Sequence, residues 1–326
     1  MDYHQELKFA IAAVKQAARL AIDVQSELAP QDALSKQDRS PVTVADYGVQ
    51  ALISHALRDA YPNDPLMGEE SSEELHSNEA QPIIQKVIER VTTIEPNIDT
   101  SEVVPLIDRA SHAGGNNVRF WTLDPIDGTK GFLRRQQYAI ALALIENGQV
   151  VAGVLGCPNL PASSDAKESG CILAASKGAG AQIMPLGSNA LCAIHTRKID
   201  SATDAIVCES VETAHSDHSS SAQVSQRLGI SSDPVRIDSQ CKYAVVARGD
   251  ADIYLRLPTR PGYEERIWDH AAGAIIVTEA GGVVTDVRGE PLDFSQGSTL
   301  CNNTGVIATS GSIHGDVVAA VGTVLK

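Results

Sequence analysis

The sequence predicts two units of different class. Residues 1–198 read as an α+β unit, two long helices on an antiparallel sheet, and residues 199–326 as an α/β unit. Three observations carry this reading. Glu6–Leu28, and the stretch holding Val49, Leu52, Ile53, Ala56 and Leu57, repeat apolar residues at helical spacing. Two hairpin signals follow: Tyr138–Ile145 and Gln149–Gly156 around Asn147-Gly148, then Cys171–Ala175 and Ala181–Met184 around Lys177-Gly178-Ala179-Gly180. After Lys198, short apolar strands alternate with helical patterns, which is the grammar of an α/β layer.

Each element has its own justification. Leu7, Ile11, Val14, Ala18, Ala21 and Ile22 share one helical face, and Pro30 ends that helix. A polar loop leads to Ser40–Asp46, where Thr43 and Asp46 have the spacing of a capping box. The second helix stops before Pro62. Pro65–Glu70 is a short strand ending in paired acids, and Ser71–Ala80 is a polar loop. Glu79–Val91 and Ser101–Ala110 are helices inserted ahead of the central strand, Arg119–Leu123.

Asp124-Pro125-Ile126-Asp127-Gly128-Thr129 reads as a turn at that strand's end. Pro125 pushes Asp124 into an extended conformation, and Gly128 permits close backbone approach. Two carboxylates three residues apart on a rigid turn can converge, an arrangement suited to hard cations and phosphate. An ordinary Asp/Pro/Gly turn is the alternative.

Leu191–His195 closes the first sheet. In the second unit Ala205–Cys208, Val235–Ile237, Asp252–Leu257, Val283–Thr285 and Val306–Ala308 are strands. Ala222–Leu228, Cys241–Arg248, Asp269–Ala280 and His314–Val324 are helices. Asp269 starts its helix within Trp268-Asp269-His270-Ala271-Ala272-Gly273, either as an N-cap or as a carboxylate held toward a cleft.

Composition narrows the partners. With 41 acidic against 26 basic residues and a net charge of −15, polymeric nucleic acid and anionic membranes are disfavoured. The longest apolar run, Tyr138–Ile145, is too short to cross a bilayer, and Met1–Leu7 has no apolar h-region. A cytoplasmic monomer is expected, an organellar location staying open. None of the six cysteines forms a C-x-x-C pair, so they read as reduced, buried small hydrophobes.

Gly68-Glu69-Glu70, Asp124–Thr129 and Trp268–Gly273, in that order, resemble the signature set of the lithium-sensitive, Mg²⁺-dependent inositol monophosphatase-like phosphatases. Ser40–Asp46, Phe120–Arg134, Gly156–Leu160, Asp238-Ser239-Gln240-Cys241-Lys242-Tyr243 and Asp252–Pro258 resemble the fungal and plant 3′(2′),5′-bisphosphate nucleotidases within that superfamily. The resemblance implies a layered α-β-α-β-α sandwich of the inositol monophosphatase and fructose bisphosphatase type.

It also implies two or three Mg²⁺ ions per site. Glu69, Asp124 and the Ile126 carbonyl would bind one, and Asp124, Asp127 and Asp269 another. Asp46 and Thr129, with Glu69, would be catalytic, Thr129 relaying a proton from water to Asp46. Gly128, Thr129, His215, Ser239, Lys242, Arg256 and Asp269 would bind substrate.

The implied reaction is removal of the 3′-phosphate of adenosine 3′,5′-bisphosphate or 3′-phosphoadenylylsulfate, in sulfur assimilation and salt tolerance, inhibited by Li⁺ and Na⁺. The first unit would carry most metal ligands, and the second the nucleotide contacts and the last aspartate. An inositol polyphosphate 1-phosphatase is the enzymatic alternative. A catalytically silent nucleotide and ion sensor is the other.

Overall fold

A computed structural model describes residues 2–28, 33–35, 41–76, 80–166, 168–211, 218–258, 260 and 262–325. The predicted features at Pro30, Ser40, Glu79 and His215 lie outside the described residues. In order the elements are α1 (His4–Ser26), β1 (Ala33–Ser35), β2 (Pro41–Thr43), α2 (Val44–Ala60), β3 (Leu66–Gly68), α3 (Gln81–Ile94) and α4 (Val103–Asp108). Next come β4 (Arg119–Asp127), α5 (Thr129–Leu133), β5 (Ala139–Glu146), β6 (Gln149–Cys157), β7 (Cys171–Ser176), β8 (Ala181–Pro185) and β9 (Cys192–Ile194). The remainder is β10 (Val207–Glu209), α6 (His218–Leu228), β11 (Val235–Arg236), α7 (Cys241–Ala247), β12 (Ile253–Arg256), α8 (Ala271–Glu279), β13 (Gly282–Thr285), β14 (Val306–Ser310) and α9 (His314–Val324).

Among the described residues, β3 to β9 form a seven-stranded sheet in sequence order, and β11-β10-β12-β14-β13 form a five-stranded one. The long apolar run of β5 follows from burial on both faces. Ile140, Leu142 and Leu144 join Val14, Leu20 and Ile53 of α1 and α2 in one core. Ala139, Ala141 and Ala143 join Ala272, Ile275 and Ile276 of α8 in a second core, which also takes in Tyr254 and Ala308 from the five-stranded sheet. A third core packs Ile253, Leu255 and Ile307 of that sheet against Val224 of α6 and Val317 and Val321 of α9. The layers therefore run helix, sheet, helix, sheet, helix, as expected.

The alanine face is what lets α8 come close. A Cβ placed on Gly153 of β6 would lie 3.0 Å from Ala272 Cα and 3.1 Å from its carbonyl oxygen. Residues Ala271–Val277 of α8 are all buried, the mark of a helix enclosed between two layers.

Several expectations need correction. The first sheet is not wholly antiparallel, because β3 pairs parallel to β4. The second mixes parallel pairs at β10 with antiparallel pairs at β14. Within the polar stretch before Asp46, β1 and β2 pair antiparallel. The Ser71–Ala80 loop contains a 3₁₀ turn at Glu73–His76 that buries Leu75. Cys192 and Cys301 are exposed, while the other four thiols are buried.

The Asp124 motif is not a turn after the strand. β4 runs through it to Asp127, and the register moves from Asp124↔Ala141 to Asp127↔Ala139, three residues facing two. Such a bulge suits Pro125, which has no N–H to give the ladder. It also resets the alternation of faces, so residues three apart can share a side.

Candidate active site

The acids gather at the ends of β3 and β4. The Glu69 N–H donates to the Leu123 carbonyl (3.2 Å), which sets Glu69 beside Asp124. Gln50 of α2 fixes the neighbouring backbone. Its Nε2 donates to the Glu70 carbonyl (2.7 Å) and the Ile107 carbonyl (2.8 Å), and its Oε1 accepts from the Glu70 N–H (3.1 Å). Gly68 has no Cβ because one would meet Gln50 Oε1 at 2.4 Å.

Asp46 does form the capping box of α2. Its Oδ2 accepts from the Thr43 N–H (2.8 Å) and hydroxyl (2.6 Å), while Thr43 Oγ1 accepts from the Ala45 N–H (3.1 Å). Its charge still reaches the acid cluster. Burial pushes the Asp124 carboxyl well above the usual range, and Glu69, Asp127, Asp269 and Asp46 push it further. Asp269 is raised well above that range by burial and Asp127. Asp127 is raised less, because Lys242, the Gln240 N–H and Arg256 offset its burial.

Thr129 opens α5, and its hydroxyl donates to the Ile126 carbonyl (3.2 Å). Gly128 precedes it at φ 90°, and a Cβ there would lie 2.9 Å from Ser239 Cβ. Ser239 itself sits in the left-handed region at φ 64°. A non-glycine residue held there is strained, as residues at functional sites often are.

Asp269 lies in a 3₁₀ turn, Ile267–Asp269, and His270, not Asp269, occupies the N-cap of α8. The turn before the helix lets Asp269 leave the helix axis. Arg256 ends β12, and its Nε donates to Glu265 Oε1 (3.1 Å). Glu265 Oε2 faces His270 Nε2 at 3.3 Å, and His270 Nδ1 pairs with the Tyr243 hydroxyl at 2.7 Å. Burial draws the Glu265 carboxyl upward, but His270 and Arg256 outweigh it and hold the pKa at about 2. Lys242 is 3% exposed, with Nζ 5.2 Å from the centre of the Tyr254 ring.

The structure thus gathers Asp46, Glu69, Asp127 and Asp269 around Asp124, and Lys242 and Arg256 around Asp127, with Ile126, Gly128, Thr129 and Ser239 alongside. His215 lies outside the described residues. Gln50, Gln240 and Glu265 were given no role from sequence. Gln240 and Glu265 sit within or beside the quoted motifs, but only their contacts reveal them.

The donor set fits hard cations. Asp124 Oδ1 is buried with no hydrogen-bond partner among the described residues, and its neighbours are carboxylates that raise one another's pKa. Ligand atoms of Glu265, Asp269 and His270 also lie within 4.8 Å of one another. That group is the poorer cation site, since Arg256 and Tyr243 already engage two of its members. An open groove of about 470 Å³, lined by Arg135, Gln137, Asn159, Arg236 and Asp238 among others, adjoins the Ser239 segment and contains none of the clustered acids.

Residues 2–323 match the profile of the inositol monophosphatase family. The chain is 44% identical to a 3′(2′),5′-bisphosphate nucleotidase of Schizosaccharomyces pombe, over 99% of this chain and 97% of that one. It is 43% identical to proteins of the same name from Emericella nidulans (100% of each) and Oryza sativa (99% and 95%). Among solved structures, the Thermotoga maritima IMPase has a TM-score of 0.68 at 23% identity, covering 98% of both chains. The Anabaena (Nostoc) inositol monophosphatase has 0.66 at 19%, covering 99% and 97%. These two likenesses speak for the fold alone. With the family profile spanning nearly every residue and the acids of its signature gathered at one site, the chain belongs to the inositol monophosphatase family and is a phosphatase.

Proposed function

We propose that this phosphatase removes the 3′-phosphate of adenosine 3′,5′-bisphosphate, giving AMP and phosphate, and treats 3′-phosphoadenylylsulfate likewise. The observation that carries this is a pair of cations beside the acid cluster, the buried Lys242 and the partly buried Arg256. The acids serve one phosphate, while the cations suit a second, non-reacting one. The names of the full-length relatives support the same substrate.

Glu69, Asp124, Asp127, Asp269 and the Ile126 carbonyl would hold two or three Mg²⁺. When bound, these neutralise phosphate charge and activate water. Asp46 takes the proton of the water that attacks phosphorus in line, once the Thr129 hydroxyl turns from Ile126 to relay it. The bond from phosphorus to the 3′-oxygen breaks, and that oxygen takes a proton from solvent water to become the 3′-hydroxyl of AMP. Backbone N–H groups of Gly128 and Thr129 steady the phosphate oxygens. Lys242 and Arg256 hold the 5′-phosphate, Arg256 by a planar fork and Lys242 as a point charge. Ser239, His215 and Asp269 help seat the nucleoside.

The same reading divides the chain near residue 198 into a unit carrying most cation ligands and one carrying the nucleotide contacts. It includes inhibition by Li⁺ and Na⁺ at a Mg²⁺ position, a role in sulfur assimilation and salt tolerance, and a cytoplasmic monomer.

Phosphate release tests it. Adenosine 3′,5′-bisphosphate should be hydrolysed with Mg²⁺, not with EDTA, and in preference to inositol 1,4-bisphosphate. Lys242→Ala and Arg256→Ala should each lower kcat/KM for it by about 10- to 150-fold, the worth of one charge-assisted contact. Hydrolysis of 3′-AMP, which lacks the 5′-phosphate, should barely change. Equal losses on both substrates would remove the specificity argument, and a preference for the inositol substrate would replace the assignment.

A further inference from the structure

One buried side chain joins the two sources of the acid cluster. Gln240 is 2% exposed and directly precedes α7. Its Nε2 donates to the Trp268 carbonyl (2.9 Å), in the turn that presents Asp269. Its Oε1 accepts from the Gly273 N–H (3.2 Å), in the first turn of α8. Its own backbone N–H donates to the Asp127 carboxylate. One residue therefore ties the end of β4 to the segments on both sides of Asp269. The amide suits this task chemically. It donates and accepts at once, and it adds no charge to a cluster already crowded with carboxylates.

We infer that Gln240 is a positioning residue that sets the separation of Asp127 and Asp269 and so governs affinity for divalent cations. This rests on the cation-site reading given above. Replacing the side chain leaves its backbone bond to Asp127 in place but frees the Asp269 turn. Groups that orient metal ligands typically change metal affinity by about 10- to 100-fold when removed. Gln240→Met keeps the length and loses both amide bonds. Gln240→Asn keeps an amide but is too short to reach both partners.

The test titrates metal-free protein with Mn²⁺, followed by electron paramagnetic resonance, beside the melting temperature with and without Mg²⁺. Both variants should bind Mn²⁺ about 10-fold or more weakly and should show a smaller Mg²⁺-induced rise in melting temperature. The half-activating Mg²⁺ concentration should rise by a similar factor, with KM for substrate little changed at saturating Mg²⁺. Wild-type affinity for Mn²⁺ in a variant that merely melts lower, by the same amount with and without Mg²⁺, would overturn the inference alone. Failure of both variants to fold at saturating Mg²⁺ would assign Gln240 to the scaffold and overturn it as well. Wild-type protein that takes up no Mn²⁺ would overturn the cation-site reading and this inference together.

Discussion

At Gly128 two requirements meet in one residue: a left-handed backbone at φ 90° and contact with Ser239 at a distance no side chain tolerates. Gly128→Ala should cost about 1–3 kcal/mol of stability, from backbone strain and the displaced Ser239. Activity should fall more steeply than stability, because Asp127 and Thr129 flank the substitution. Urea unfolding and phosphate release on one preparation check this, and a variant of wild-type activity would contradict it. The glycine and the acids were legible in the sequence because they fall in contiguous motifs. Gln50 was not, because its partners at Glu70 and Ile107 lie 20 and 57 residues away. Gln240 reaches Trp268 across 28 residues. An isolated glutamine carries no pattern, and only its contacts give it a role.

Among the elements, β12, α7 and α8 are cross-tied by the chain Arg256–Glu265–His270–Tyr243. Glu265 has a folded pKa of about 2 against an ordinary 4.5, so its contribution is complete above pH 4.5 and is lost as pH falls toward 2. A shift of that size corresponds to roughly 3 kcal/mol. Glu265→Gln should destabilise the protein by about that amount at neutral pH, and the gap from wild type should narrow below pH 4.5. Denaturant melts across that window provide the check, and a gap independent of pH would refute the ionic account.

Long elements were legible in the sequence through their period. The three-residue strands β1 and β2, within a stretch read as a polar loop, are too short to have one. The bulge in β4 looked like a turn because Pro and Gly signal both. Asp269 reads as a helix start because a 3₁₀ turn and a helix cap share residue preferences.

Across the whole molecule, a net charge of −15 makes the buried acids more costly still. In metal-free protein Asp124 and Asp269 hold protons at pH values where the unfolded chain has released them. Their contribution to stability is therefore fullest below the unfolded value of 3.8 and falls as pH rises through the raised folded values. EDTA-treated protein should melt progressively lower as pH rises from about 5 to about 8, and Mg²⁺ should restore more at the upper end. A Mg²⁺ effect equal at both pH values would break this link.

The order of strands in the seven-stranded sheet has a consequence for synthesis. Strands β3 to β9 neighbour one another in the order in which they are translated, so the sheet can close while the chain beyond Ile194 is still being made. Its Ala139, Ala141 and Ala143 face then waits, uncovered, for α8 to arrive. Throughout that interval the growing polypeptide shows a finished but bare apolar wall, the point at which a chaperone has most to shield. Glu69, Asp124 and Asp127, at the ends of β3 and β4, are in place in that sheet before Asp269 is translated.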